Sequence, residues 1–150
     1  MNGAAVNAFQ IIRFIFRESR RIMKGVMGSK ELALFCRELA DSKKAEDIIV
    51  LDVRELSNAT DYFVIASVTS EPHLRAVAEE ITEKLREGHD VRSRAEDGSL
   101  RGSWVVLDFF DVMVHLMRAE ARKHFDLEGL WGDAPRLKPR KRRVRKATPA

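Results

Sequence analysis

The chain has 150 residues, 45% of them hydrophobic and 33% charged, which suits one globular domain with tails and a modest core. Its one cysteine excludes an intramolecular disulfide and a paired-cysteine metal site, and it fits a reducing compartment. Residues 29–134 hold 14 Lys/Arg and 22 Asp/Glu, a net charge of −8. Residues 1–28, with five basic residues and one acidic, carry +4, and residues 135–150, with eight basic residues and no acidic one, carry +8. This distribution predicts an acidic globular domain whose two ends attract phosphate groups.

The N-terminal stretch AFQIIRFIFRESRRIMKG is rich in arginine, poor in acids and amphipathic. Arg13 interrupts its apolar run, so the stretch is too short and too charged to span a membrane. It lacks the order and the cleavage site of a secretory signal, although an organellar transit peptide has a similar composition. We interpret residues 1–28 as an N-terminal extension, with Met23 and Met27 as alternative translation starts.

The first predicted element of the folded part is a helix over residues 30–42, with Ser29 as its cap. Its apolar residues recur with the helical period, which predicts one core-facing stripe. The stripe consists of Leu32, Phe35, Cys36 and Leu39. Because Cys36 lies in this stripe, we expect a buried and inert thiol rather than a nucleophile.

Two strands and a second helix follow. DIIVLDV (47–53) and DYFVIAS (61–67) are continuous apolar runs, which predict two buried strands joined by a turn. Ser70 is the expected cap of a helix that has Pro72 in its first turn and that ends at Gly88. The core-facing stripe of this helix consists of Leu74, Val77, Ala78, Ile81 and Leu85.

The segment DVRSRAE (90–96) alternates like an edge strand, and Asp97-Gly98 is a turn signal. WVVLDFFDVMVHLM (104–117) is too long for one strand, so we divide it at Phe110-Asp111 into two. The division places Trp104, Val106 and Asp108 on one face of the first strand. It places Asp111, Met113, His115 and Met117 on one face of the second. AEARKHF (119–125) is a predicted helix, and Asp126 is the expected cap of one more turn.

This order of elements predicts an α/β (α+β) domain over residues 29–134, with a mixed sheet of about five strands flanked by helices. The segment after it has no apolar periodicity and is rich in proline and basic residues, so we expect a disordered basic tail over residues 135–150. Such a tail either only improves solubility or contacts RNA non-specifically. The candidate RNA contacts are Lys138, Arg140, Lys141, Arg142, Arg143 and Arg145.

The polar residues give little support for catalysis. There is no Gly-rich phosphate loop and no zinc-ligand spacing, and the pair Asp108 and Asp111 is weak evidence because turns favour aspartate anyway. His115 fits a hydrogen-bonded structural histidine or a docking surface better than a catalytic base. Trp131 fits either core packing or an interface anchor. We therefore expect no catalytic residue, no metal and no cofactor.

Two long stretches resemble the ribosomal silencing factor family, also called the Iojap family. They are LDVRELSNATDYFVIAS and SWVVLDFFDVMVHLMRAEARKHFDLEGLWGD, and the resemblance covers residues 32–133. Its most specific pieces are Thr60-Asp61, the spacing Trp104…Asp108…Asp111…His115, and Asp126-Leu127-Glu128 followed by Leu130-Trp131.

The resemblance implies a fold similar to a nucleotidyltransferase core but no enzymatic activity. It implies a bacterial cytoplasmic protein, homodimeric when free, that binds protein number fourteen of the large ribosomal subunit. Joining of the small subunit would thereby be blocked and translation repressed. Organellar relatives imply an alternative role in large-subunit assembly. A less favoured alternative is a metal-dependent nucleotidyltransferase-like enzyme with Asp108 and Asp111 as ligands.

The resemblance also implies a recognition surface. Its members would be Trp104, Asp108, Asp111, His115, Phe125, Leu127, Glu128 and Trp131. The chain departs from the family pattern in several places: Phe125 replaces the usual tyrosine and so loses a hydrogen bond, Phe110 stands where a small residue is common, and Glu96-Asp97-Gly98 replaces a plain Glu-Gly. The basic tail is not part of the family core.

Overall fold

One five-stranded sheet organises the domain. The computed structural model describes residues 27–93, 95–97 and 102–139. The strand order is β1-β2-β5-β4-β3, with helices on both faces, so the predicted α+β class is confirmed. In chain order the elements are α1 (Ser29–Ser42), β1 (Glu46–Asp52), β2 (Tyr62–Val68), α2 (Glu71–His89), β3 (Ala95–Asp97), β4 (Trp104–Asp108), β5 (Val112–Arg118), α3 (Ala119–Phe125) and α4 (Leu127–Leu130).

The sheet is mixed because its two central strands, β2 and β5, run parallel while every other pair is antiparallel. All seven residues of β2 are buried, as its continuous apolar run predicts. β1 was also expected to be a buried strand, but only part of it is buried. The reason is its place at the edge of the sheet, where one side has no neighbouring strand.

The two faces of the sheet have separate cores. On the first, called the α1/α2 face, both predicted helix stripes pack against Val112, Val114 and Leu116 of β5. On the second, called the α3/α4 face, Met113 and Met117 pack with short helices and the segment after them. The alternation predicted for β5 is thus confirmed, and so is the burial of Cys36, whose thiol pKa is raised by burial.

The helix ends differ from the prediction in two places. Ser29 is the first helical residue instead of the cap; the cap is Gly28, which makes no side-chain hydrogen bond. Ser70 does cap α2, since its hydroxyl accepts from the His73 N–H at 3.2 Å. The helix continues past Gly88 and ends at His89, and the C-cap Asp90 takes the left-handed conformation with a φ of 51°.

The long apolar stretch 104–117 divides at the predicted place. β4 and β5 form an antiparallel hairpin in which Asp108 pairs with Met113. Phe110, in the turn, has a φ of 75°, a conformation that costs strain in a residue with a bulky side chain. Phe110 is nevertheless buried.

The start of the predicted disordered tail is part of the fold. The Asp52 N–H donates to the Pro135 carbonyl at 2.8 Å, and the Leu137 N–H donates to the Val50 carbonyl at 2.9 Å. Leu137 also packs on the α1/α2 core. The prediction that disorder begins at residue 135 is therefore wrong, because residues 135–137 cover the otherwise unpaired edge of β1.

Several predictions fall outside the described residues. They concern the N-terminal extension up to residue 26, the turn at Gly98 and the tail from residue 140 onward. Within the described part of the chain, no helix has the length and apolarity needed to cross a membrane.

Candidate docking surface

Five aromatic rings cross the α3/α4 face as a continuous series, which we call the aromatic row. Neighbouring ring centroids lie 5.2 Å apart for Trp131 and Phe63, and 5.1 Å apart for Phe63 and His115. The series continues from His115 to Trp104 at 5.9 Å and from Trp104 to Phe125 at 4.7 Å. Such distances are those of favourable aromatic pairs. The row joins residues from the two central strands, from β4, from α3 and from the position directly after α4.

Local sequence explains how the outer rings are placed. Phe125 is the last residue of α3, and Asp126 follows with a φ of 41°. The Asp126 carboxylate then caps α4 by accepting from the Gly129 N–H at 3.1 Å. α4 is a single turn, so Trp131 comes directly after it and reaches Phe63. The sharp Asp126 turn thus brings the two outer aromatic residues onto the same face.

His115 is the polar member of the row. Its side chain is only 7% exposed, and its Nδ1 accepts a hydrogen bond from Trp104 Nε1 at 3.2 Å. Burial lowers the pKa of His115 to about 4, because the charged imidazolium would lose its hydration. The ring is therefore neutral at physiological pH. Its hydrogen bond with Trp104 confirms the structural role, one of those that the sequence left open.

Arg122 anchors the short helices and was not singled out from the sequence. Its guanidinium donates to Glu128 Oε1 in α4 and, at 2.8 Å, to the Ser67 hydroxyl at the end of β2. The Arg122 side chain is 12% exposed and that of Glu128 is 29% exposed. The pair thus fixes α4 to the sheet, and one oxygen of Glu128 is already engaged within the chain.

Asp108 and Asp111 are buried at the β4–β5 turn. Asp108 Oδ1 accepts from the Phe110 N–H at 2.8 Å, and the Asp111 carbonyl accepts from the Asp61 and Tyr62 N–H groups. Asp108 is four residues from Trp104 along β4, about 13 Å in a strand. Among the described residues, no group of three or more His, Cys, Asp and Glu could hold a metal ion. The Asp108 carboxylate thus holds the turn, and the Asp111 main chain connects the turn to the start of β2.

The structure therefore brings together most of the predicted site. Trp104, His115, Phe125 and Trp131 are in the row, while Leu127 packs beneath it and Glu128 is fixed by Arg122. Phe125 is 50% exposed and Leu130, beside Trp131 in the sequence, is 73% exposed, which leaves an exposed apolar side chain at each end of the row. Of the predicted RNA contacts, Lys138 is exposed, and the other five lie beyond the described part.

Comparison with protein families gives one match that spans the domain. The family described as "Ribosomal silencing factor during starvation" matches residues 26–150 of this chain, and the matched range includes the whole aromatic row. A Bacillus subtilis protein named ribosomal silencing factor is 35% identical over 109 residues, which is 73% of this chain and 92% of that protein. A Haemophilus influenzae protein with the same name is 36% identical over 101 residues, 67% of this chain and 97% of that protein.

A mouse protein named "Mitochondrial assembly of ribosomal large subunit protein 1" is 35% identical over 98 residues, 62% of this chain and 42% of that protein. Two solved structures have the same fold. A crystal structure of a Chromobacterium violaceum protein has a TM-score of 0.67 and 32% identity, and covers 71% of this chain and 88% of its own. One from Bacillus halodurans has a TM-score of 0.62 and 29% identity, with 73% and 98% coverage.

Proposed function

This chain belongs to the ribosomal silencing factor family, and on that premise we propose that it binds protein number fourteen of the large ribosomal subunit. Bound there, it blocks joining of the small subunit and represses translation. The block is steric, because a domain on the joining face of one subunit occupies space that the other subunit needs. The proposal therefore requires no turnover and no cofactor.

The observation that carries the proposal is an exposed apolar side chain at each end of the aromatic row. Phe125 and Leu130 are large apolar residues with half or more of their surface exposed. They adjoin Trp104 and Trp131, whose rings are held in place by their neighbours. Protein interfaces concentrate their binding energy in such preorganised aromatic residues.

Charge supports a basic partner. Residues 29–134 carry a net −8, from 14 Lys/Arg against 22 Asp/Glu, although the whole chain is net +4. A negative domain attracts basic proteins and speeds their encounter. Ribosomal proteins, which sit on RNA, are commonly basic. We therefore expect binding to weaken as salt is raised.

Two exposed leucines offer a matched test of the surface. Leu130 lies beside Trp131 and is 73% exposed, whereas Leu56 lies in the β1–β2 loop and is 47% exposed. Calorimetric titration of isolated protein number fourteen should show that Leu130→Ala weakens binding about fivefold and that Leu56→Ala does not. Equal affinities of the two variants would show that the partner does not bind at the aromatic row.

The basic tail gives the proposal a second contact. Lys138 is exposed just after the segment that covers β1, and it begins the predicted RNA-contacting series. Removal of residues 140–150 should reduce the salt dependence of binding to whole large subunits, because fewer phosphate-bound counterions would be released. Binding to isolated protein number fourteen should not change. An unchanged salt dependence would show that the tail makes no RNA contact.

We also propose that the free protein is a homodimer and that it acts in the bacterial cytoplasm. Silencing factors from several bacteria support the location, since their ribosomes are there. The dimer is expected from the family resemblance alone. Light scattering of the purified chain during gel filtration tests it, and a mass near the monomer value of 17.1 kDa would contradict it.

A role in large-subunit assembly is the second candidate. It is supported by the similarity to the mouse protein, whose name states that role. Both roles use the same docking surface but differ in the particle that is bound. Depletion of this protein should leave precursor large subunits in cells if assembly is its role, and mature subunits if silencing is its role.

A further inference from the structure

His115 has a second ring nitrogen that none of the contacts described above uses. Among the described residues, Nε2 is fully buried and has no hydrogen-bond partner. The side chain as a whole is more than nine-tenths buried, at 7% exposure. Buried polar atoms of native proteins are usually hydrogen-bonded, so this nitrogen calls for an explanation.

The hydrogen bond at the other nitrogen determines what Nε2 can do. The Trp104 indole N–H can only donate, so Nδ1 of His115 must accept, at 3.2 Å. A neutral imidazole that accepts at Nδ1 carries its proton at Nε2. Burial keeps the ring neutral, since it lowers the pKa of His115 to about 4. Nε2–H is therefore a donor of fixed identity in the interior of the aromatic row.

Two aromatic rings cover this donor, and each contacts a further ring that is partly exposed. His115 contacts Phe63 and Trp104, which in turn contact the partly exposed rings of Trp131 and Phe125. Phe125 ends a helix of seven residues, and Trp131 directly follows a helix of four. A partner that displaces Phe125 and Trp131 frees space beside Phe63 and Trp104, and rotation of these two side chains about their strands would then open Nε2 to the partner.

We propose that His115 Nε2–H is a specificity-determining donor, which pairs with an oxygen of the docked protein when the aromatic row is engaged. This inference rests on the proposed function, because the same surface docks the same partner. It adds the chemistry of one contact: the partner supplies an acceptor where the free protein leaves a donor unpaired. Pairing that donor favours the bound state.

The surroundings select an uncharged acceptor, a main-chain carbonyl of the partner. Phe63 and Trp104 make the site apolar, so a carboxylate would lose its hydration there. Asp126 and Asp133, beside Phe125 and Trp131 in the sequence, are exposed and would repel it. A neutral carbonyl oxygen meets neither penalty.

Nitrogen-15 NMR of the histidine rings tests the donor directly in the full-length chain. The chain has four histidines, and loss of one signal set in His115→Asn assigns His115. The free protein should show the Nε2–H tautomer. Addition of isolated protein number fourteen should shift the Nε2–H proton downfield and slow its exchange, as a new hydrogen bond requires. An unchanged Nε2–H signal in a saturated complex would overturn the inference.

Two substitutions provide an affinity test. The Asn in His115→Asn can still accept from Trp104 but does not reach the Nε2 position, whereas the Gln in His115→Gln can place an amide donor there. We expect roughly tenfold weaker binding for His115→Asn and near wild-type binding for His115→Gln. Equal binding by all three proteins would overturn the inference and leave the docking surface intact.

The two proposals fail in different ways. If the wild-type protein binds neither isolated protein number fourteen nor large subunits, the proposed function is wrong and this inference with it. If the wild type binds but His115→Asn unfolds, as circular dichroism would show, the loss of one signal set in His115→Gln assigns His115 instead, and the wild-type NMR signal then decides the question. A shifted and protected Nε2–H then supports the inference, and an unshifted one contradicts it.

Discussion

The α1/α2 face of the sheet is covered by helices of 14 and 19 residues, whereas the α3/α4 face is covered by helices of seven and four. The first core is built mainly from aliphatic side chains. The second face carries the aromatic row, a buried histidine and the Arg122–Glu128 pair. We infer that the first face supplies most of the stability and that the second is shaped for recognition.

The two faces should differ most in the free energy of unfolding that is lost when a leucine on each face is replaced by alanine. Leu74 of α2 is fully buried, and Leu74→Ala should lower the free energy of unfolding by about 2–5 kcal/mol through lost burial and a cavity. Leu130→Ala, on the other face and 73% exposed, should change it by less than about 0.5 kcal/mol. Urea unfolding measures both changes. Similar losses of stability in the two variants would contradict the inference that the α1/α2 face supplies most of the stability.

Acid should destabilise the protein through the α3/α4 face. The pKa of His115 is lowered to about 4 in the folded chain, against about 6.5 when unfolded. Between these values only the unfolded chain binds the proton, so stability should fall as pH drops from about 6.5 to about 4, by at most about 3 kcal/mol. His115→Asn should flatten that part of the pH profile. An unchanged slope in His115→Asn would contradict this assignment.

Loss of the Arg122 guanidinium should affect both stability and binding. Arg122→Gln leaves Glu128 partly buried without its cation and loosens α4, which should cost about 1–3 kcal/mol in urea unfolding. Arg75→Gln breaks an exposed pair with Glu71 and should cost almost nothing. Arg122→Gln should also weaken partner binding, since Trp131 follows α4. If Arg122→Gln is destabilised but binds the partner with wild-type affinity, α4 is not part of the docking surface.

The smallest expected effects are those of alanine at two glycines, which should lower the stability on the α3/α4 face and raise it on the α1/α2 face. A Cβ at Gly129 would lie 2.8 Å from Asp126 Cγ, so Gly129→Ala must displace the cap of α4 and should cost about 1 kcal/mol. A Cβ at Gly88 in α2 would meet nothing within 4 Å. Gly88→Ala should therefore stabilise by up to about 1 kcal/mol. Thermal unfolding compares the pair, and a destabilising Gly88→Ala would contradict the assignment.

Local patterns in the sequence predicted most of the elements. The stripes of α1 and α2 and the alternation of β5 depend on near neighbours in the chain, and the structure confirms them. The family resemblance, which depends on short motifs, predicted four of the five rings in the aromatic row. The Asp126 cap was also predictable, because Asp followed by a short apolar turn is a local signal.

The features that were missed depend on distant parts of the chain. Arg122 and Ser67 are 55 residues apart, and no local pattern links them. The edge position of β1 follows from strand order, which an apolar run does not reveal. Residues 135–137 lack apolar periodicity, yet they pair with β1 through backbone groups that every sequence has. Asp90 ends α2 because its short polar side chain tolerates the left-handed conformation, which Gly88 was expected to supply.

Sedimentation of purified large and small ribosomal subunits, mixed with this protein at physiological salt, tests the central claim most directly. We expect the wild-type protein to travel with the large subunit and to prevent the formation of whole ribosomes. Trp131→Ala should do neither, while Leu56→Ala should behave as the wild type does. Migration of the wild-type protein apart from both subunits, with whole ribosomes forming normally, would contradict the account.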